Sequence, residues 1–140
     1  MTNFGNRDEG QEGMIRSDVD AHEYVMGLPI RTVVRELTEL LGATTVAVIG
    51  GVKETRAVQQ WMIDREPQRP HVLRFALQLT LMLTGRADRE YAQAWLHAAN
   101  PRLNDRIPML LLRDLPLDEV QHPLLNAARA FAQRAEQATG

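Results

Sequence analysis

The chain has 140 residues, of which 44% are apolar and 24% are charged, and it contains no cysteine. This length and composition are typical of one compact domain, or of two small helical lobes with a tail. The lack of cysteine excludes disulfides and thiolate metal sites and favours a cytoplasmic protein. We identify no signal-peptide core and no apolar run long enough to span a bilayer, so we expect no membrane association.

Charge is distributed unevenly along the chain, although the formal net charge is only −2. Residues 1–27 carry six acidic and two basic residues, and residues 28–75 carry five acidic and seven basic residues. Residues 76–140 carry seven acidic and seven basic residues. A DNA-binding surface needs local positive charge rather than a basic average. The middle third of the chain is therefore the candidate region for contact with DNA.

Residues 1–26 are rich in Gly, Asp, Glu, Asn and Gln and contain few branched aliphatic side chains. Such a segment buries too little apolar surface to offset the entropy that it would lose on ordering. We expect an arm that is either disordered or ordered by a partner. The simpler alternative is the disordered arm, a plain solvated tail.

From Pro29 onward, apolar residues recur with the period of an α-helix, which predicts an all-α fold. A first helix should end at Gly42, and Thr44–Ile49 follows at once. The β-branched residues of Thr44–Ile49 favour a strand on propensity alone. We predict a helix instead, because the segment is short, follows a helix directly and has no second strand with which to pair.

Residues 43–63 have the pattern of a helix-turn-helix, with Gly50-Gly51 at the turn and a second helix over Lys53–Arg65. The inward face of the second helix would carry Ala57, Val58, Trp61 and Met62. The outer face would carry Ile63 and five candidate DNA-binding residues, namely Lys53, Thr55, Arg56, Gln59 and Gln60. Arg and Gln suit the edges of guanine and adenine, and Lys suits phosphate. The alternative is a helical hairpin that only packs and dimerises.

Four more helices are predicted beyond Pro67 and Pro70. They are a long apolar helix that stops at Gly85, a helix that carries Trp95, a short helix from Pro108 to Leu112 and a final helix from Pro116 onward. Asn100-Pro101 suits a helix stop with an Asx-type turn. Pro123 should kink or restart the final helix, because it cannot donate to the carbonyl of Glu119.

Two strings in this sequence resemble the Xre/MbcA/ParS antitoxin family. Val46–Trp61 is similar to the family's N-terminal module. Ala94–Leu112 is similar to its toxin-binding domain, in which a tryptophan helix precedes an Asn-Pro-x-Leu segment and a Pro-x-x-Leu-Leu turn. The resemblance covers about residues 30–135, and the N-terminal arm, Ile107 and Pro123 depart from the family pattern.

The resemblance implies a helix-turn-helix lobe at residues 27–68 and a small helical toxin-binding lobe at residues 69–140. It implies a homodimeric type II antitoxin that occludes a RES-domain toxin, which consumes NAD, and that binds the operator DNA of its own promoter. The toxin-binding residues that we infer in this way are Trp95, Asn100, Leu103, Arg129, Phe131 and Arg134. The alternatives are a core position for Trp95 and a plain amphipathic role for the final helix.

No arrangement of residues typical of catalysis is visible. The four histidines are scattered, Gly50-Gly51 lacks the Lys-Ser/Thr of a phosphate-binding loop, and the only serine is Ser17. We therefore expect no enzyme activity, no cofactor and no metal site. The alternative function is that of a stand-alone helix-turn-helix transcriptional regulator.

Overall fold

A computed structural model describes residues 18–85 and 88–139, with side chains described within 19–85 and 88–135, and these residues are all helical apart from turns. The helices are α1 (Asp18–Met26), α2 (Ile30–Leu41), α3 (Ala43–Gly50), α4 (Thr55–Trp61), α5 (Pro70–Thr84), α6 (Arg89–His97), a 3₁₀ turn (Pro101–Leu103), α7 (Pro108–Asp114) and α8 (Leu117–Thr139). Within the described ranges there is no strand, only an isolated antiparallel bridge between Asn100 and Arg106. The prediction of an all-α fold is confirmed.

The core is organised around α5. Nearly every residue of this helix from Val72 to Leu83 is buried, because α1, α2, α3, α6 and α8 all pack against it. A helix that is apolar on all sides is stable only in such a central position. One continuous cluster of buried side chains therefore draws on both of the predicted lobes. The division into lobes stays a prediction.

Helix α1 corrects part of the prediction for the N-terminal arm. Residues 1–17 lie outside the described residues, but Asp18–Met26 is a helix that packs against α5. Ala21 and Val25, one turn apart, are fully buried. Arg74 of α5 donates hydrogen bonds to the carbonyl oxygens of Val25 (3.1 Å) and Leu28 (2.8 Å). A short apolar stripe and side-chain capping thus order a segment whose average composition predicts disorder.

Side chains from distant helices cap the C-terminal ends of other helices. Gln93 of α6 donates to the carbonyl of Leu40 near the end of α2, at 2.7 Å. Arg69, just before α5, donates to the carbonyls of Ile49 in α3 (3.0 Å) and Leu112 in α7 (2.9 Å). The last carbonyls of a helix have no partner within it, and a cation is favourable at that end of the helix dipole. These contacts hold together helices that are far apart in the sequence.

Helix α8 passes through Pro123 and continues to Thr139. Of the two outcomes that we predicted there, a kink or a restart, the restart does not occur. Pro123 and Glu119 are both exposed, so water can satisfy the Glu119 carbonyl that proline leaves without a donor.

Candidate functional site

Helices α3 and α4 pack against each other across a tight turn. The helix that we predicted over Thr44–Ile49 is confirmed, within the bounds of α3. Gly51 ends it in the left-handed conformation, with φ 81° and ψ 21°. The N–H of Gly51 donates to the Val48 carbonyl (3.1 Å), and that of Val52 donates to the Ala47 carbonyl (2.9 Å). This is a Schellman motif, which requires the positive φ that glycine adopts without strain.

The indole ring of Trp61 lies directly over Gly50. A Cβ added to Gly50 would lie 2.6 Å from Cη2 and 2.8 Å from Cζ3 of that ring. Val58, one turn before Trp61, is fully buried as well. The missing side chain at Gly50 thus lets α4 approach the backbone of α3.

The outer side of α4 carries the predicted DNA-binding residues. Lys53 lies in the turn just before α4 and is exposed, whereas Thr55 is the first residue of the helix and is half-buried. Arg56, Gln59 and Gln60 are exposed and share one face, as their spacing of three and four residues requires. The structure therefore places Arg56, Gln59 and Gln60 on one surface, with Lys53 and Thr55 at its N-terminal end.

The second helix is shorter than the Lys53–Arg65 segment that we predicted, and the predicted bounds are wrong. It begins at Thr55, because the Schellman motif places residues 52–54 outside the helix. It ends at Trp61, because three consecutive N–H groups converge on the Gln60 carbonyl, those of Ile63 (3.1 Å), Asp64 (3.0 Å) and Arg65 (2.9 Å).

Trp95 and Phe131 form an aromatic pair that joins α6 to α8. Their ring centroids are 6.5 Å apart and their planes are inclined by 60°, within the range of favourable tilted pairs. Trp95 is only 8% exposed, whereas Phe131 is half-buried. Trp95 thus has the core position that we considered as its alternative, and Phe131 is the member of the pair that a partner can reach.

Residues 100–106 form a closed, hydrogen-bonded loop. The side-chain oxygen of Asn100 accepts a hydrogen bond from the N–H of Arg102 at 2.9 Å, which confirms the Asx-type turn. The carbonyl oxygen of Asn100 accepts from the N–H groups of Leu103 and Asp105, both at 2.9 Å. Leu103 is buried, and the 3₁₀ turn that contains it packs against α8. Both ends of the loop are therefore anchored.

The tip of this loop is a feature that we did not predict from the sequence. Asn104 and Asp105 both have positive φ, 58° and 63°, and the N–H of Arg106 donates to the Leu103 carbonyl at 3.2 Å. This geometry is that of a type I′ turn, in which Asn and Asp are the best-tolerated residues after glycine. The Asn-Asp pair between two anchored positions was the available signal.

An open cleft of about 390 Å³ lies beside the loop. It is lined by Asp105, Arg106, Ile107, Leu110, Leu111, Asp114 and Leu115. On its rim, Arg113 hydrogen-bonds Asp114 and so lowers the pKa of that carboxyl below its usual value. An apolar floor with a charged rim suits an apolar side chain from a partner protein. The Pro-x-x-Leu-Leu turn was predicted here from the sequence, whereas the cleft was not.

The two remaining predicted toxin-binding residues lie on α8. Arg129 is half-buried and donates to the side-chain oxygen of Asn126 at 2.8 Å, whereas Arg134 is exposed nearer the C-terminal end of the helix. Helix α6, which carries Trp95, packs on α7, and the 3₁₀ turn, which carries Leu103, packs on α8. The cleft is lined in part by α7, which also packs on α8. The set is therefore distributed over α6, the loop and α8 rather than concentrated at one point.

Two of the scattered histidines have structural partners. Nδ1 of His97 donates to the Gln93 carbonyl at 2.7 Å, so Nε2 of the neutral ring can accept from the Thr45 hydroxyl, 3.2 Å away. Nδ1 of His22 lies 3.2 Å from the side-chain oxygen of Gln78. These contacts join α6 to α3 and α1 to α5. Among the described residues, no group of three or more His, Asp or Glu side chains is arranged to hold a metal ion.

Comparison of this chain with protein-family models, with curated protein sequences and with solved structures found no match. In the part of the chain that the structure describes, no helix is both long and apolar enough to cross a membrane. Membership of the antitoxin family stays a prediction.

Proposed function

We propose that this protein is a type II antitoxin that binds and occludes a RES-type, NAD-consuming toxin and represses its own promoter by binding operator DNA. The observation that carries the proposal is the anchored loop at residues 100–106 beside the apolar cleft. It coincides with Ala94–Leu112, the string whose resemblance to the family's toxin-binding domain is the more specific. A surface held rigid before binding loses little entropy when a partner docks.

The toxin surface in this proposal has three parts. The loop presents Asn104 and Asp105, the cleft presents Ile107, Leu110 and Leu115, and α8 presents Phe131. Asn100 and Leu103 hold the loop and Trp95 positions Phe131, so their roles are indirect. Arg129 and Arg134 extend the surface along α8 and are suited to acidic groups at an NAD site.

The DNA surface is the outer side of α4. Arg56, Gln59 and Gln60 would contact base edges and Lys53 a phosphate when α4 lies in the major groove. The Schellman turn and the Gly50–Trp61 contact hold α4 against α3, as a helix-turn-helix lobe at residues 27–68 requires. Such proteins bind paired half-sites as dimers, so we propose a homodimer.

Co-purification with the protein encoded next to this chain tests the toxin half of the proposal, which fails if that neighbour is not a RES-domain protein. Leu110→Asp introduces a charge into the cleft and should release the toxin, because the carboxylate would be buried without a partner. Ile63→Asp is the matched control, since it changes an exposed apolar residue on the other surface. Asp114→Arg reverses a charge at the exposed rim and tests the same cleft if Leu110→Asp fails to fold. Retention of the toxin by both cleft variants contradicts the proposal.

A stand-alone transcriptional regulator is the second candidate, favoured by the exposure of Arg56, Gln59 and Gln60 on one face of α4. Arg56→Ala and Gln59→Ala should each weaken operator binding by roughly 1–3 kcal/mol, the value of one base contact. This candidate predicts that loss together with no complex with any toxin. Unchanged binding in a gel-shift assay at fixed salt contradicts both DNA-binding candidates.

A further inference from the structure

Ile63 is the most exposed large apolar side chain among the described residues, with 69% of its surface open to solvent. The backbone at Ile63 is held in place, because the N–H groups of Ile63, Asp64 and Arg65 all donate to the Gln60 carbonyl. It therefore belongs to a closed turn at the end of α4 and not to a free loop.

Ile63 extends the polar face of α4. Ile63 lies two residues beyond the end of α4, where Met62 still has a right-handed helical backbone and the N–H of Asp64 donates to the carbonyl four residues earlier. Its spacing of seven residues from Arg56 and three from Gln60 therefore places it next to their face. The buried residues Val58 and Trp61 lie on the other side. The candidate DNA-binding face thus has an apolar end that contributes nothing to the core.

We propose that Ile63 is a specificity-determining residue that reads thymine, by packing against the C5-methyl group in the major groove. The inference rests on the proposed DNA binding and assigns to Ile63 a base, thymine, that Arg56, Gln59 and Gln60 do not read. The thymine methyl is the apolar group that a base pair presents in the major groove. Contact with it removes from water an isoleucine that the free protein leaves exposed.

The test begins with the full-length chain and a DNA duplex pool that has a randomised core, from which the preferred site is selected. The thymines of that site are then replaced one at a time by uracil, which lacks only the methyl group. The wild type should bind about fourfold more weakly for each contacted methyl that is removed, the effect of burying one methyl-sized group. Ile63→Ala should bind the thymine and uracil duplexes equally well at those positions.

Val19→Ala is the matched control, since Val19 is 62% exposed and lies on α1. It should keep the full thymine preference of the wild type. Circular dichroism should show that Ile63→Ala folds, because the side chain packs against nothing in the core.

Two results overturn the inference, and they are distinguishable. If the wild type selects a site but Ile63→Ala keeps the same preference for thymine over uracil, Ile63 does not read the methyl group and the DNA-binding proposal stands. If the wild type enriches no site from the pool, the DNA-binding proposal fails and the role of Ile63 fails with it.

Discussion

The backbone of Gly50 and the indole of Trp61 are in direct contact, so that any side chain at Gly50 would overlap the ring. A Cβ there would lie 2.6 Å from Cη2 of Trp61, closer than carbon atoms approach in folded proteins. Because Trp61 is the last residue of α4, this contact sets how α4 sits on α3. The position of the candidate DNA-binding face therefore depends on a glycine at residue 50, where any larger residue would overlap the ring.

Gly50→Ala should lower the free energy of unfolding by about 1–3 kcal/mol, the usual range for an overpacked core. The control is Gly27→Ala, where the added Cβ meets nothing closer than the Tyr24 carbonyl at 3.7 Å and stability should stay within about 0.5 kcal/mol. Urea unfolding measures both. Equal stability of the two variants would show that the ring moves aside freely.

Arg69→Met should destabilise the fold, because it leaves the carbonyls of Ile49 and Leu112 without their charged donor. A hydrogen bond from a charged group contributes about 1.5–3 kcal/mol, so a loss of that order is expected. Arg113→Met is the control, since Arg113 pairs with Asp114 at the exposed surface and should not change the unfolding midpoint. A similar small effect of both changes would mean that Arg69 does not hold α3 to α7.

The Trp95–Phe131 pair should contribute about 0.5–1.5 kcal/mol beyond the burial of each ring. A double-mutant cycle with Trp95→Leu and Phe131→Leu measures this coupling directly. Phe131→Leu should also weaken the toxin complex, since Phe131 is the more accessible ring. Additive stability effects would argue against an energetic contact between α6 and α8 at this point.

The phenol of Tyr24 should titrate at unusually high pH. Its pKa is raised from the usual 10.0 to about 12 by burial first, and then by the hydrogen bond that its hydroxyl donates to Glu36 (2.8 Å) and by the negative charge of Glu36. Because the folded pKa exceeds the unfolded one, this stabilisation is complete below about pH 10 and is lost as the pH rises towards 12. Tyr24 is 37% exposed, so solvent screening reduces its effect on stability.

Tyrosinate absorbance tests this prediction in a Tyr91→Phe background, which leaves Tyr24 as the only tyrosine. The titration midpoint should be higher in native buffer than in urea, and Glu36→Gln should lower the native midpoint. A native midpoint equal to that in urea contradicts the account of Tyr24.

The helical class and the positions of most helices could be predicted from periodicity, glycine stops and proline starts. Thr44–Ile49 shows that packing overrides propensity, because the β-branched residues Thr45, Val46 and Ile49 are buried in α3, which packs against α2, α5 and α7. Helix α1 was missed because two buried residues and the capping by Arg74 are long-range effects that composition does not reveal. The bounds of α4 depend on backbone hydrogen bonds that side-chain pattern does not encode.

The candidate sites were predicted unevenly for a similar reason. The outer face of α4 follows from helical spacing alone, so its exposed residues could be identified in advance. The cleft arises where the loop meets α7 and Leu115, and such a tertiary surface has no local sequence signal. Asn104 and Asp105 are an intermediate case, since their residue types were informative but their turn was not recognised.

The most direct measurement of the central claim is the rate of NAD consumption by the protein encoded beside this chain, which the proposal requires to be a RES-domain toxin, with the full-length chain titrated into it. We expect a stable complex and a rate that falls to the background level once the chain is in stoichiometric excess. Leu110→Asp should leave the rate high, and Ile63→Asp should suppress it as the wild type does. No complex and an unchanged rate with excess wild-type chain would contradict the antitoxin account.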